Sequence, residues 1–383
     1  MKQIYLDHAA TTPVHPEVID TMIPLYHEVF GNPSSVHAFG RAARKHLDEA
    51  RRTIASSIHA NEKEIIFTSG GTEADNLALM GVAKANRDKG NHIITTVQEH
   101  HATLRTAQYL EEQGFRITYL PVEESGQVSV DDLREALTDE TILVSLMYVN
   151  NETGVIQPIS EIGKILQGHQ AYFHTDAVQA YGLIDLDVKQ LGIDLLSAAS
   201  HKINGPKGVG FLYAKEDVPM APLHFGGEQE RKRRPGTENV VHIVGFAKAV
   251  ELAGRNRTEN RRRYKLYKET FLSELKENGV TFKVNGDLEQ TIPSIVNISF
   301  PGIDVEALLA NFDLNGISAS SGSACTAGSV EPSHVLRALY GADNERIRSS
   351  IRFSFGLHQT VEDMKETARR VAEIVKRLKN MEV

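Results

Sequence analysis

The strongest constraint on the fold of this chain is an alternation of strand-like and helix-like segments between residues 64 and 214. Short apolar runs are typical of buried strands, and the segments between them carry apolar residues at helical spacing. Strands that alternate with helices favour right-handed crossovers and a mainly parallel sheet covered by helices on both faces. The predicted strands are 64–68, 92–96, 115–119, 142–149, 171–174, 194–199 and 209–214.

The rest of the chain predicts a second, smaller domain. With 383 residues, the chain exceeds the length at which one hydrophobic core stops growing. Beyond residue 260 the pattern changes to an α+β one, with strands at 294–300 and 347–355. We therefore predict a large domain at 15–259 and a small domain made of 1–14 and 260–383, joined by a basic, solvated helix at 255–268. The predicted helices start near residue 16 and cover 40–58, 103–112, 131–137, 159–167, 238–253, 261–278, 304–312 and 361–379.

The composition is typical of a globular enzyme of the cytoplasm. Hydrophobic residues make up 41% of the chain and charged residues 24%. No stretch approaches the roughly 18 apolar residues of a membrane span, and no signal peptide is recognisable. The net charge of −8 argues against direct binding of nucleic acid. A single cysteine excludes an internal disulfide framework.

Lys202 stands where an apolar run ends in a tight turn. Gly205, Pro206 and Gly208 mark this turn, and strand 209–214 then returns. A lysine held beside apolar strands has its pKa lowered by desolvation, which lets the amine form a Schiff base and move protons. The alternative interpretation is an ordinary surface lysine.

A glycine-rich turn, Ser69-Gly-Gly-Thr72, leads directly from the first strand into a helix. Such a turn exposes backbone N–H groups where the helix dipole is positive, which suits a phosphate group. The alternative is a plain helix start capped by Thr72. No Walker lysine follows the turn, which argues against a nucleoside triphosphate.

Polar residues follow several of the predicted strands, at the edge where a parallel sheet binds ligands. Each has a structural alternative, since Asn150 and Asn151 could form a turn and Asp176 could cap the next segment. His100 and His101 lack the i, i+4 spacing of a helical metal pair, so no metal site is predicted. The residues at these strand ends are Thr72, Glu99, His100, His101, Asn150, Asn151, Glu152, Asp176, Gln179, His201 and Lys202.

Cys325 lies in a long run of small residues at 318–329. Serine, alanine and glycine neighbours offer no bulky apolar surface to bury the thiol. The run therefore predicts an exposed, reactive cysteine, and a buried, inert thiol is the alternative.

A series of short motifs occurs in a fixed order along the chain: Ser69-Gly-Gly-Thr-Glu, Glu99-His-His-Ala, Val149-Asn-Asn-Glu-Thr-Gly, His174-Thr-Asp-Ala-Val-Gln, His201-Lys, Gly205-Pro-Lys-Gly, Arg234-Pro-Gly-Thr-Glu-Asn and Ser321-Gly-Ser-Ala-Cys-Thr. In this order the motifs resemble the cysteine desulfurases of the NifS/IscS type, and the resemblance runs from Tyr5 to Gly356. It implies a pyridoxal-phosphate-dependent enzyme of fold type I, shared with many aminotransferases. That fold has a large domain with a mainly parallel seven-stranded sheet between helices and a smaller α+β domain.

The resemblance also implies a role for each candidate residue. Lys202 would hold pyridoxal 5′-phosphate covalently, Asp176 would bind its pyridine nitrogen, and His100 would stack on its ring. Arg352 and Asn151 would bind the substrate, and Cys325 would take the sulfur of L-cysteine as a persulfide while alanine is released. The other cofactor contacts would come from Gly71, Thr72, Asn151, Gln179, Ser200 and His201, and from Thr237 of a second subunit.

Other activities stay open from the sequence alone. A selenocysteine lyase or an aminotransferase would keep Lys202 and Asp176 but would not need Cys325 in a flexible loop. A non-catalytic sulfur carrier would need only the cysteine. The resemblance further implies a homodimer and a sulfur-acceptor protein, either an iron-sulfur scaffold or a tRNA-thiolating enzyme.

Overall fold

The computed structural model describes residues 2–322 and 332–381. The strands are β1 (Ile4–Tyr5), β2 (Ile65–Thr68), β3 (His92–Thr96), β4 (Arg116–Leu120), β5 (Thr141–Ser145), β6 (Tyr172–Asp176), β7 (Leu195–Ala199), β8 (Gly210–Ala214), β9 (Lys283–Val284), β10 (Ile295–Ser299), β11 (Ile317–Ser318) and β12 (Ser350–Ser354). The α-helices are α1 (Pro16–Glu28), α2 (Ala38–Ser56), α3 (Gly71–Ala85), α4 (His101–Glu112), α5 (Val130–Ala136), α6 (Ile159–Leu166), α7 (Val240–Glu277), α8 (Val305–Leu314), α9 (His334–Tyr340) and α10 (Val361–Met381).

A seven-stranded sheet forms the centre of the larger region, in the order β2-β8-β7-β6-β5-β3-β4. Neighbouring strands from β7 to β4 run parallel, whereas β8 is antiparallel to both β7 and β2. The predicted mainly parallel sheet between helices is therefore confirmed. Strand β8 runs in the opposite direction because the chain turns back after Lys202 and pairs with β7.

Successive residues of these strands face two separate cores. Val144 and Leu196 pack with helices α2, α6 and the first part of α7. Their neighbours Leu143 and Leu195 face the other side of the sheet, against α3. Because side chains alternate across a strand and both faces are covered, the strands read as continuous apolar runs.

The smaller region is built on an antiparallel sheet in the order β12-β10-β9. Its core residues include Ile298 and Phe353, which share one cluster with residues of α8, α10 and the last part of α7. Strand β1 pairs in parallel with β11. Residues from near both ends of the chain thus share a core. The division into a large domain at 15–259 and a small domain made of 1–14 and 260–383 stays a prediction.

The prediction of two separate helices at 238–253 and 261–278 is wrong. A single helix of 38 residues, α7, spans both, and the predicted linking helix at 255–268 is its middle part. No proline interrupts the basic stretch, so the helix continues through it. Phe246 lies in the core of the large sheet and Phe271 in that of the small region, so α7 joins the two.

The strand predicted at 142–149 ends earlier, at Ser145. The following residues leave the sheet, and Val149 forms an isolated antiparallel bridge with Ile156. This departure brings Asn151 to the end of the sheet. Within residues 2–322 and 332–381, none of the helices has the length and apolar character needed to cross a bilayer.

Candidate active site

A cavity lies at the carboxyl ends of β5, β6 and β7, the edge at which a parallel sheet binds ligands. The cavity has a volume of about 190 Å³. The sequence-predicted residues that line it are Gly71, Thr72, His100, Asn151, Asp176, Gln179, His201, Lys202 and Arg352. The fold therefore brings together residues that are up to 281 positions apart (352 − 71).

The N-terminus of helix α3 forms one wall of the cavity. Gly70 precedes the helix with φ +157°, a conformation that favours glycine. A Cβ added to Gly71 would lie 2.8 Å from Val178 Cγ2, so the close approach of helix and loop also requires glycine. No side chain caps the helix, and Thr72 lies inside it rather than at its cap. The first-turn N–H groups and the helix dipole make this wall suitable for an anion such as phosphate.

Lys202 ends a single 3₁₀ turn, Ser200–Lys202, that follows β7 directly. Its Nζ donates to the carbonyl oxygen of Ala9 and, at 3.0 Å, to that of Ala10. Gln179 Nε2 donates to the same Ala9 oxygen at 2.9 Å. The sheet and the N-terminal segment together hold the amine at the cavity wall.

Asp176 is the last residue of β6 and is buried. One carboxylate oxygen accepts a hydrogen bond from the backbone N–H of Val178 at 2.9 Å. Burial raises the pKa of Asp176 to about 6, while that N–H group and the charge of Lys202 act in the opposite direction. A cationic ring nitrogen placed against this carboxylate would offset its burial.

Two histidines of the cavity are held as neutral imidazoles. His100 is the N-cap of α4, and its Nδ1 accepts from the N–H of Ala102 at 3.1 Å. Burial, assisted by the charge of Lys202, lowers the pKa of His100 to about 4, and the same two causes lower that of His201 to about 4. A neutral ring suits stacking on an aromatic cofactor, as the resemblance implies for His100. The ring of His101 lies 4.8 Å from that of His334, on another side of the helix start.

Arg352, in the middle of β12, contributes a buried cation from the small region. Its side chain is 2% exposed. Its Nη2 lies 2.8 Å from Asp7 Oδ1, and its Nη1 donates to the carbonyl oxygen of Asn151 at 2.9 Å. Its Nε is buried and has no hydrogen-bond partner in the described part of the chain. A donor left in this state is available to an anionic ligand.

Three predicted residues are not brought into the cavity. Ser200 does not line it, and its buried Oγ lies against Gly205, where an added Cβ would come within 2.0 Å of that oxygen. Thr237 is exposed and lines a separate surface groove with Glu73 and Arg234. Cys325 lies outside the described residues. The roles proposed for these three residues stay predictions.

The structure adds to the site two carboxyl groups that were not singled out from the sequence, Asp7 and Asp75, and a third, Glu99, that was predicted at a strand end without a role. Asp7 pairs with Arg352, Asp75 of α3 lines the cavity, and Glu99 is buried below it. Asp75 stands among Ala74, Leu77 and Ala78, so an acidic residue on an apolar helix face was the available signal. Asp7 lies within the range Tyr5 to Gly356 covered by the resemblance but had no assigned role.

One cluster of these side chains has the geometry to bind a metal ion. Asp75, His100 and Asp176 each offer one ligand atom, and these atoms lie within 4.8 Å of one another. The cluster occupies the cavity in which an organic cofactor is expected. The expectation that the site holds no metal therefore stays a prediction.

Comparisons with known proteins agree with this geometry. The aminotransferase class-V family model matches residues 4–366. The putative cysteine desulfurase IscS 1 of Bacillus subtilis (strain 168) is 58% identical over 378 residues, which cover 99% of this chain and 100% of the relative. A solved NifS-like protein superposes with a TM-score of 0.92 at 35% identity, covering 98% of this chain and 100% of its own.

A further solved structure, SspA in complex with cysteine, gives a TM-score of 0.82 at 34% identity and covers 93% of this chain and 99% of its own. The resemblance to the NifS/IscS type, and the fold it implies, are confirmed by these relatives. The chain belongs to the aminotransferase class-V family.

Proposed function

We propose that this chain is a cysteine desulfurase, which converts L-cysteine to L-alanine and carries the sulfur as a persulfide on Cys325. The observation that carries the proposal is the convergence of Lys202, Asp176 and Arg352 on one cavity. A relative that is 58% identical over nearly the whole chain is a putative cysteine desulfurase, and SspA, a solved neighbour, binds cysteine.

The cavity suits pyridoxal 5′-phosphate as its cofactor. The uncapped N-terminus of α3, with Gly71 and Thr72, would hold the phosphate group. Asp176 would face the pyridine nitrogen, and Lys202 would bind the aldehyde carbon covalently. When bound, this cofactor supplies an electron sink that stabilises negative charge developing on the substrate Cα. His100, Asn151, Gln179 and His201 would complete the contacts.

The residues of the chain divide the work of the reaction. The Arg352 guanidinium would bind the substrate carboxylate through its donors. The Lys202 amine would remove the proton from Cα and return one to the product. The Cys325 thiolate would attack the substrate sulfur, so that the Cβ–S bond breaks as an S–S bond forms. L-cysteine and the thiol of Cys325 thereby give L-alanine and the Cys325 persulfide. The two sulfur atoms are oxidised as the S–S bond forms, and the substrate Cβ is reduced as it gains a proton and the electron pair of the broken Cβ–S bond.

The sulfur would then pass to an acceptor protein, either an iron-sulfur scaffold or a tRNA-thiolating enzyme. We expect the enzyme to act in the cytoplasm, where its single cysteine stays reduced. A selenocysteine lyase is the second candidate, because the cavity residues would serve selenocysteine equally well.

The experiment is to incubate the cofactor-loaded protein with L-cysteine and a thiol reductant, and to measure alanine and sulfide together. We expect the two products in equal amounts. An aminotransferase would instead require a 2-oxo acid and would release neither product from cysteine alone. Turnover of selenocysteine with no turnover of cysteine would favour the second candidate.

We also propose that the protein is a homodimer in which Thr237 completes the partner's phosphate site. Thr237 does not line the cavity of its own chain. A band of large apolar side chains on α1, the loop after it and the first turn of α2 is exposed, and exposed apolar surface of this kind marks an interaction surface. The band consists of Ile19, Ile23, Tyr26, Phe30, Val36 and Phe39.

Sedimentation equilibrium tests the homodimer. Phe30 is 72% exposed and lies 5.1 Å from the ring of Phe39. We expect Phe30→Glu to shift the protein toward monomer and to weaken cofactor retention. Leu314→Glu, at a 79% exposed position remote from this band in sequence, is the matched control. A fully active wild-type monomer would contradict the proposal.

A further inference from the structure

Asp75 is a buried carboxyl group for which the reaction above has no use. It lies in the first half of α3 and is 1% exposed. One of its oxygens is within 4.8 Å of an oxygen of Asp176, which is 6% exposed. Within residues 2–322 and 332–381, Asp75 Oδ1 has no hydrogen-bond partner. Two carboxyl groups buried this close together cannot both ionise without a large penalty.

The described groups that face Asp75 offer no cation to balance its charge. His174 Nε2, from β6, lies 3.7 Å from Asp75 Oδ1. The pKa of His174 is lowered to about 3 by burial, so this imidazole is neutral. His100 is neutral for the same reason. From β7 the neutral Ser197 hydroxyl faces Asp75, and the remaining carboxyl group is Glu99.

Asp176 is in a different position, because a cation and a backbone donor act on it. The charge of Lys202 and the N–H of Val178 both favour its ionised form. Burial raises the pKa of Glu99 to about 8, so Glu99 is largely protonated at neutral pH. As the pH rises, Asp176 is therefore the first of the three carboxyl groups to lose its proton.

We propose that Asp75 is a positioning residue that stays protonated at neutral pH, so that a neutral carboxylic acid lies beside the Asp176 carboxylate and a single negative charge faces the cofactor's ring nitrogen. The role in cofactor binding rests on the proposed function, whereas the protonation state does not. Burial and the charge of Asp176 raise the pKa of Asp75, and they outweigh a hydrogen bond from Ser197 that acts in the opposite direction.

Infrared spectroscopy of the wild-type protein, labelled with ¹³C at aspartate carboxyl groups, tests the protonation state. We expect a protonated-carboxyl absorption at pH 7 that shifts with the aspartate label. Because only aspartate is labelled, the absorption of Asp75 can be told apart from that of Glu99. The measurement is made on the wild-type sequence, so it does not depend on a variant that folds. Asp75→Asn should remove the labelled absorption, and Glu99→Gln should leave it in place.

Cofactor affinity tests the positioning role. Asp75→Ala should raise the Kd for pyridoxal 5′-phosphate roughly threefold to tenfold, and Asp75→Asn, a neutral group of the same shape, should restore most of the affinity. If Asp75 were ionised, Asp75→Asn would instead remove a charge near the ring nitrogen and raise the Kd on the order of fiftyfold.

Two results would overturn the proposal: no label-sensitive protonated carboxyl at pH 7, or a labelled absorption that survives Asp75→Asn. If the alanine and sulfide assay failed while the labelled absorption was present, the proposed function would fall and the protonated Asp75 would stand.

Discussion

Arg352 and Asp7 form a partly buried ion pair, with 2.8 Å between the guanidinium Nη2 and the carboxylate Oδ1. The pair fixes the guanidinium at the junction of β12 and the N-terminal segment. Because Nη1 is also held, by the carbonyl oxygen of Asn151, the plane of the guanidinium is set before substrate arrives. Among the described residues Nε has no hydrogen-bond partner, and in the proposed function it would donate to the substrate carboxylate.

The first prediction concerns the shape of this cation. Arg352→Lys keeps the positive charge but loses the planar fork that binds both Asp7 and a carboxylate. We expect the KM for L-cysteine to rise at least roughly tenfold, because one charge-assisted hydrogen bond is worth ~1.5–3 kcal/mol. Steady-state kinetics measure this change. The control is Arg348→Lys, at an exposed arginine four residues earlier. An unchanged KM for Arg352→Lys would remove Arg352 from the substrate site.

The second prediction separates two lysines of one turn. Lys202→Ala should abolish turnover, because no amine remains to bind the cofactor or move the Cα proton. Borohydride treatment followed by mass spectrometry should show covalently bound cofactor in the wild-type protein and none in this variant. Lys207→Ala, at an exposed position five residues later, should keep both properties. Covalent cofactor in Lys202→Ala would show that another residue carries it.

The third prediction is a pH dependence of stability. His174 is buried between the hydroxyl groups of Ser145 and Ser197, at 2.8 and 3.0 Å, and burial lowers its pKa to about 3. In the unfolded chain this pKa is about 6.5. The unfolded state therefore binds a proton that the folded state does not. The stability from this group is complete above pH 6.5 and is lost as the pH falls toward 3.

Urea unfolding at pH 7, 6 and 5 measures this effect. We expect His174 to contribute a slope of up to about 1.4 kcal/mol per pH unit. His174→Asn should be less stable at pH 7 but should show a shallower loss of stability on acidification. His27→Asn, on the exposed side of α1, is the control. An equal slope in wild type and His174→Asn would contradict the assignment.

Much of the fold could be predicted from local patterns. Apart from the edge strand β4, the strands of the large sheet are buried on both faces, so most of them read as short apolar runs and stand out from the helices. The short strands β1, β9 and β11 could not be found, because two residues carry no period. The fusion of two helices into α7 was missed because its exposed middle has no apolar stripe to reveal it.

The candidate site was predictable to the extent that its residues follow strands or belong to motifs. Asp176 and Lys202 were found in this way, because each stands directly after an apolar run. Asp75 was missed because its proximity to Asp176 depends on how α3 packs on the sheet. The partnership of Asp7 and Arg352 joins positions 345 residues apart, and no local pattern contains it.

The most direct test of the desulfurase proposal is the mass of the protein after reaction with L-cysteine. Wild-type protein, loaded with cofactor and left without reductant, should gain one sulfur atom on the peptide that contains Cys325 and release one alanine per sulfur. Cys325→Ser should still bind cofactor and change its absorbance on addition of cysteine, yet gain no sulfur and release almost no sulfide when reductant is added. Undiminished sulfide release by Cys325→Ser would contradict the account.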